Sequence, residues 1–554
     1  MKKSIVLFGI FTIILSSFVF SQSIAYLSSK EGNIYESYFL EYNELMGEYY
    51  NAILTISLQN QTYDTYFNKP ADLLLITDVL MEYKAMEKFL NDNSITLDAT
   101  GMNQRTQEIF DSYMGNETTK QMFLQFFESE DIFKGFVKSL VYRDEIYNKI
   151  IQYFSDFSNE DLSNFVSENF DALKSQFESV KINIIVLNDE SNAKILKEQL
   201  INNEISFTDA VSKNSIDGGS LGWVKRGDVS NEVFEASISA NIGDIIGPIR
   251  TFSNYQIVEV EEKKVYQTVE ELLSEPEINS QIKNIYLDYL LTNWYNEYLL
   301  NFDFVVSYKP LMFEYEVYKA RSIEDLLEIE KNYRPIILSE NTETIPEEWY
   351  ISYIYLAENL YYVKDNERFD LENYLNIVDN YPELIEYNED ELQTELEYYL
   401  QIKYSAESTD LRNQAAEKQY AIQEFIQIQY KYGRMTISEA TSKYEELNKD
   451  IENMNLALEK ALKDLIDLNP NSINIIGKLY QLKPNDPNIA FDYYKTLYSS
   501  YIDYYNATGD LKSIKDGLNT LRSIMNSLPD QELESNRATK KYEIINQIDE
   551  LIKM

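Results

Sequence analysis

The chain has 554 residues, more than one hydrophobic core usually serves, so several domains are expected. Its formal net charge of −43 repels phosphate backbones and anionic lipid surfaces, which argues against nucleic acid as a partner and suits either solubility or a preference for basic unfolded chains. Cysteine and histidine are both absent, which excludes disulfides, thiolate nucleophiles, Cys/His zinc sites and any Ser-His-Asp triad.

Lys2 and Lys3 precede an apolar run over residues 5–20, a charged segment followed by a hydrophobic one as in a secretory signal. Val19 and Ser21 suit positions −3 and −1 of a cleavage site before Gln22, so residues 1–21 read as a signal peptide, the alternative being an uncleaved membrane tether through residues 5–20. Both place the rest of the chain outside the cytoplasm, in a periplasm or cell envelope. A lipoprotein is excluded because the acceptor Cys is missing.

Residues 22–178 read as helical. The stretch 72–89 puts Leu73, Ile76, Val79, Leu80, Tyr83 and Met86 at helical spacing, and Ser158 with Asp161 forms a capping-box-like helix start. At Lys181 the period changes: KINIIVL is a short, largely β-branched apolar run and reads as a strand. Helix returns over 193–200, a Gly-rich loop follows over 217–222, a second helix lies near Asn231–Ser239, and 248–260 holds two short strands. This order fits a small α+β domain. From Val269 the pattern is helical to the end, apart from a short extended piece over 301–307. The scarcity of Gly (16) and Pro (11) favours long helices. Residues 349–382 suggest a helix pair, with Ala357, Tyr361, Tyr374 and Ile377 at tetratricopeptide-like offsets and Pro382 as terminator, and 498–521 suggest another. Pro382, Pro470 and Pro529 do not keep the ~34-residue period of that repeat, so the region reads as degenerate repeats or an irregular helical array.

Residues 207–260 carry the chemistry. Phe207, Ser215, Asp217, Gly218, Gly219, Leu221, Gly222, Trp223, Gly227, Phe234, Glu235, Ala236, Gly243, Gly247, Pro248 and Thr251 occur in the order of the parvulin (PpiC) family pattern, and this stretch resembles that family closely. The resemblance implies a peptidyl-prolyl cis-trans isomerase. Rotation about an X-Pro bond crosses a barrier of ~18–20 kcal/mol without breaking a bond, so a pocket that grips proline and favours the twisted amide suffices. By resemblance Leu221, Val229 and Phe234 would seat the proline, although as residues they also read as ordinary core. Asp217 and Thr251 match polar positions of the family. Asn183 and Gln256 stand where family members usually place histidines, and their amides can keep a hydrogen-bonded network but cannot become charged. Asn254 takes the place of a frequent Gly, a turn position that Asn tolerates. Gly218-Gly219-Ser220-Leu221-Gly222 satisfies the hydrolase pattern G-x-S-x-G, but that elbow needs a His partner and none exists. Phosphate-binding, dinucleotide and calcium-loop motifs are missing, so no cofactor or metal is expected.

The arms around this domain, through 73–95, 157–173 and 278–307, resemble the helical chaperone module of SurA and PrsA. The expected fold is therefore multi-domain and mainly α: a helical module (22–178), an inserted α+β parvulin domain (179–262), a helical return segment (263–308) and a C-terminal tetratricopeptide-like helical array (309–554). The implied function is an extracytoplasmic foldase whose partners are unfolded or nascent secreted proteins with X-Pro bonds. The alternative, favoured by the missing histidines, is a non-catalytic holdase or assembly scaffold whose parvulin domain only binds peptide.

Overall fold

The computed structural model describes residues 23–59, 64–339 and 345–553. The signal-like run over 1–21 lies outside them. The described chain opens not on helix but on two antiparallel strands, β1 (Ser23–Ser29) and β2 (Ile34–Glu41). In β1 the side chains of Ile24, Ala25 and Leu27 are buried.

Helices α1 (Tyr42–Leu58), α2 (Thr65–Asp92), α3 (Ala99–Met114), α4 (Glu117–Phe126), α5 (Glu130–Ser155), α6 (Asn159–Glu168) and α7 (Phe170–Phe177) follow. Their starts are written locally. Asp64 caps α2 by accepting from the Phe67 N–H, Ser129 caps α5, and the Ser158/Asp161 capping box opens α6. In α2, Leu73 and Leu80 are buried, whereas Val79, expected on the same face, is 50% exposed.

The α+β domain comprises β3 (Ser179–Leu187), α8 (Glu190–Ile201), α9 (Phe207–Asn214), β4 (Gly218–Lys225), α10 (Asn231–Ser239), β5 (Ile245–Arg250) and β6 (Tyr255–Lys264). The glycine-rich stretch read as a loop is thus mostly an edge strand. The chain then re-enters the helical module through α11 (Val269–Ser274), α12 (Pro276–Glu297) and β7 (Phe302–Val306), which pairs antiparallel with β1, Ala25 facing Val306. The three-stranded sheet β2-β1-β7 is therefore closed by segments from either side of the inserted domain. Phe89 of α2 meets Trp294 and Tyr298 at centroid separations of 5.0 and 5.1 Å, binding the returning chain to the module.

The C-terminal region is helical throughout the described residues: α13 (Lys309–Lys319), α14 (Ile323–Ile337), α15 (Glu347–Asn380), α16 (Glu389–Ser405), α17 (Thr409–Tyr432), α18 (Ile437–Leu468), α19 (Ile473–Leu482), α20 (Pro487–Thr508), α21 (Leu511–Ser527) and α22 (Ser535–Lys553). The expected helix pair over 349–382 is instead a single 34-residue helix, α15, about 50 Å long. Its first half packs Tyr350, Tyr353 and Ala357 into one core, and its second half packs Leu371, Tyr374 and Val378 into another. The second expected pair is observed: α20 ends at Gly509, whose φ of +69° suits glycine, and Asp510 caps α21. Tyr66 of α2 donates to Glu347, and Asn469 donates to both, tying the array to the N-terminal module. Among the described residues no helix is long and apolar enough to cross a membrane.

Candidate functional site

The four strands of the α+β domain run in the order β4-β3-β6-β5, all antiparallel. Alternation along the two central strands assigns each side chain to a face. Val180, Ile182, Ile184 and Val186 of β3 join Val258 and Val260 of β6 under α10, while Ile185, Leu187 and Ile257 pack on the opposite face against Leu196 and Phe207 of α8 and α9. Gln256 is paired with Val186 and so shares the α10 face.

Asn183 does not. It is out of phase with Gln256 by one residue and lies on the other face, where its amide donates to Glu259 at 2.9 Å and Glu261 at 2.7 Å. The Asn183 hydrogen bond, with help from Lys181, holds the Glu261 carboxyl below the usual range. The expected partnership of Asn183 with Gln256 is therefore corrected: the β3 side chains on Gln256's face are Ile184 and Val186, which offer no hydrogen bond.

The polar part of the α10 face is built around Asn254, in the hairpin between β5 and β6. Thr251 Oγ1 donates to Asn254 Oδ1 at 2.7 Å, Gln256 Nε2 donates to the same oxygen at 3.2 Å, and the Thr251 N–H reaches the Asn254 carbonyl at 2.9 Å. Asn254 is not among the described residues with positive φ, so its value here is the side-chain oxygen rather than tolerance of a left-handed turn. Gln256 Oε1 and one N–H, and the Thr251 lone pairs, remain available to a ligand. Asp217 is exposed and precedes β4. Its neighbour Ile216 donates to the Val186 carbonyl at 2.9 Å, so Asp217 and Gln256 flank the same β3 residue about two strand spacings, ~10 Å, apart.

The apolar part divides in two. Leu221 sits at the β-bulge of β4 and is 42% exposed, and across from Ile184 and Ile182 stand Gly219 and Gly222, where an added methyl would meet nothing within 4 Å. Val229, Ile246 and Ile249 are partly buried against the same core. Phe234, expected to seat the proline, is instead completely buried, its ring packed among Val180, Val258 and Val260 and faced by the Arg226 guanidinium at 5.0 Å. Arg226 is held there by an ion pair with Glu235 and a 2.9 Å bond to Ser175 of α7. Phe234 is thus the floor of the domain core, not an open wall.

The structure accordingly gathers Asp217, Thr251 and Gln256 at one end of the sheet and places Leu221 further along β4, on the far side of β3 from Gln256 and level with Ile182 and Asn183. It leaves Asn183 on the far face and Phe234 underneath. Asn254 and Ile184 are the residues that sequence reasoning undervalued; the strict alternation of KINIIVL against the valines of QIVEV is the signal that separates Asn183 from Gln256. What remains is a hydrogen-bonding rim of Thr251, Asn254 and Gln256, with the exposed Asp217 at its edge, beside an open aliphatic patch. Such a rim can hold an amide by hydrogen bonds but offers no group that titrates near neutrality.

Comparison with known proteins places this geometry. Residues 188–262 match the rotamase family model described as the PPIC-type PPIASE domain. The chaperone SurA of Idiomarina loihiensis is 23% identical over 230 residues, 37% of this chain and 51% of that protein. The foldase PrsA of Geobacillus kaustophilus is 29% identical over 126 residues, 21% of this chain and 44% of that protein. The chain thus spans about half or less of the length of these relatives. The crystal structure of PrsA from Bacillus cereus aligns with 54% of this chain and 99% of its own at 17% identity, with a TM-score of 0.24, too low to support an argument about arrangement. Residues 188–262 thus match the PpiC-type rotamase family, and the chain is similar over part of its length to the chaperone SurA and the foldase PrsA.

Proposed function

We propose that the protein is an extracytoplasmic foldase: its helical module holds unfolded secreted or envelope chains and its rotamase domain turns X-Pro bonds in them. The observation that carries this reading is the Thr251–Asn254–Gln256 hub standing on the same sheet face as the aliphatic patch, within a domain matched by the rotamase family. In this reading Leu221 and Val229 receive the proline ring. Gln256 and Thr251 hydrogen-bond the amide as it twists and its nitrogen gains basicity, and Asp217 supplies a fixed negative charge at the edge. Secretion through residues 1–21, or anchoring through residues 5–20, is the matching localisation.

A second reading is favoured by one specific feature. The β3 residue paired with Gln256 is the aliphatic Val186, and the next on that face is Ile184, so the rim lacks a polar group on its central strand. The domain would then bind proline-containing peptide without turnover and the chain would act as a holdase. A protease-coupled prolyl-peptide assay on the full chain separates the two. A rate above buffer that falls in Gln256→Leu supports the foldase, and a rate equal to buffer, with aggregation of a denatured client still suppressed, replaces it by the holdase.

A further inference from the structure

Phe252 has the highest relative exposure, 107%, of the large hydrophobic side chains among the described residues; Tyr430 is next at 94%. It lies one residue from Thr251, in the hairpin that carries the polar hub. The turn is closed on both sides of it. The Thr251 N–H and hydroxyl both bond to Asn254, and Gln256 bonds to Asn254 from β6. Phe252 and Ser253 are the two residues inside that closed turn, so the ring is carried outward and does not fold back onto the sheet. A ring so placed contributes nothing to the core, and water is a poor solvent for it. The closed turn holds its backbone, so covering the ring costs only the freedom of one side chain.

We propose that Phe252 is a specificity-determining residue of the rotamase site, selecting substrates with an aromatic or large aliphatic side chain immediately before the proline. The proposal rests on the foldase reading above. With proline on the Leu221 side and the X-Pro amide held by Thr251 and Gln256, the preceding side chain is the part of the substrate that reaches the hairpin. An apolar side chain covering the ring removes both from water, whereas Ala is too short to cover it and Glu would lose hydration.

The test compares kcat/KM of the full chain for tetrapeptides with Phe, Leu, Ala or Glu before proline, in the parent and in Phe252→Ala. The parent should favour Phe and Leu over Ala by about three- to tenfold, the scale of one aromatic contact. Phe252→Ala should erase that preference by slowing Phe-Pro and Leu-Pro while leaving Ala-Pro within about twofold of the parent. An unchanged preference, or an equal fall for all four peptides, overturns the proposal. Should the parent show no turnover of any peptide, the foldase reading fails, and binding of fluorescein-labelled Phe-Pro and Ala-Pro peptides then decides on Phe252 by itself. Weaker binding of the Phe-Pro peptide alone in the variant supports the contact, and equal binding to both proteins refutes it.

Discussion

Replacing Phe234 and Leu221 by alanine should have opposite consequences, and the contrast tests which of them a substrate can touch. Phe234 is completely buried among Val180, Ile182, Ile184, Val258 and Val260. Removing such a ring from a packed core costs about 3–5 kcal/mol. At about 1.4 kcal/mol per tenfold, amides of β3 and β6 that exchange only when the domain opens should lose roughly 100- to 4000-fold in protection. Leu221 is 42% exposed at a bulge, so its truncation should cost about 1 kcal/mol or less and change protection by less than about tenfold. Its effect should instead appear in prolyl-peptide turnover. Hydrogen exchange read by mass spectrometry over residues 179–264 of the full chain, beside the isomerase assay, measures both. Phe234→Ala with near-parental protection and a collapsed rate would show that the ring is a reachable seat, and the placement of the proline patch on the Leu221 side would be wrong.

Three further outcomes are expected. Isomerase activity should be flat between about pH 5.5 and 8, because Thr251, Asn254 and Gln256 do not titrate and the chain has no histidine; a rate that halves with a midpoint near 6.5 would contradict the neutral-rim chemistry. Stability should fall between pH 10 and about 12. Burial pushes the Tyr308, Tyr315 and Tyr318 hydroxyls up to about 12, with a hydrogen bond to Asp78 adding to the effect at Tyr318; groups so raised stabilise the fold fully below pH 10 and lose that contribution as pH climbs through 12. A urea-unfolding midpoint that does not move between about pH 10 and 12 would refute this. Asp450→Asn should destabilise the C-terminal array by about 2–3 kcal/mol, toward the low end for a broken buried pair because about a third of Asp450 stays in water. It strands Lys364, only 10% exposed in its side chain, while Arg334 keeps its ion pair with the buried Glu330. Adding Lys364→Met should restore part of the loss in urea unfolding, and failure to do so would show that Lys364 does not depend on Asp450.

What could be read from residues alone was what local chemistry decides. Ser158 and Asp161 exchange bonds of 3.1 Å in each direction, as their spacing requires. Helix α10 runs Asn231–Ser239 as its pattern says, and Pro382, Pro470 and Pro529 each stand two residues beyond the last residue of a helix. Misreadings came where a distant partner decides. The glycines of β4 carry turn chemistry, yet β3 recruits them as an edge strand. β1 is a strand because β7, from residues 302–306, arrives to pair with it. The continuity of α15 goes with α18, which lines its first half through Met454, Leu458 and Leu462 and its second half through Ala440, a partner that the sequence of α15 alone does not reveal. At the candidate site the resemblance pointed to Thr251, Gln256 and Asn183 together; the register between β3 and β6, which no local pattern reveals, puts Asn183 on the other face from Gln256.

That register also settles where the site lies relative to the rest of the molecule. Ser179 is paired with both Lys225 and Lys264, so the first residue of the domain and its exit strand are neighbours at one end of the sheet. The ties to the helical module gather there: Arg226 to Ser175, Lys264 to Glu275 at 3.3 Å, and Tyr266 to Glu275 at 2.9 Å. The polar hub is at the opposite end, next to the Leu187–Tyr255 pair. Eight strand steps of about 3.3 Å separate the two ends, so the rim stands about 26 Å beyond the attachment. An insertion arranged in this way leaves the end that carries the polar hub free of the host, and under the proposed function a client segment held on the module would run about eight extended residues to present a proline there. Loosening the attachment with Ser175→Ala should therefore leave the turnover of short peptides unchanged, because none of the groups at the rim depends on the bonds at the base.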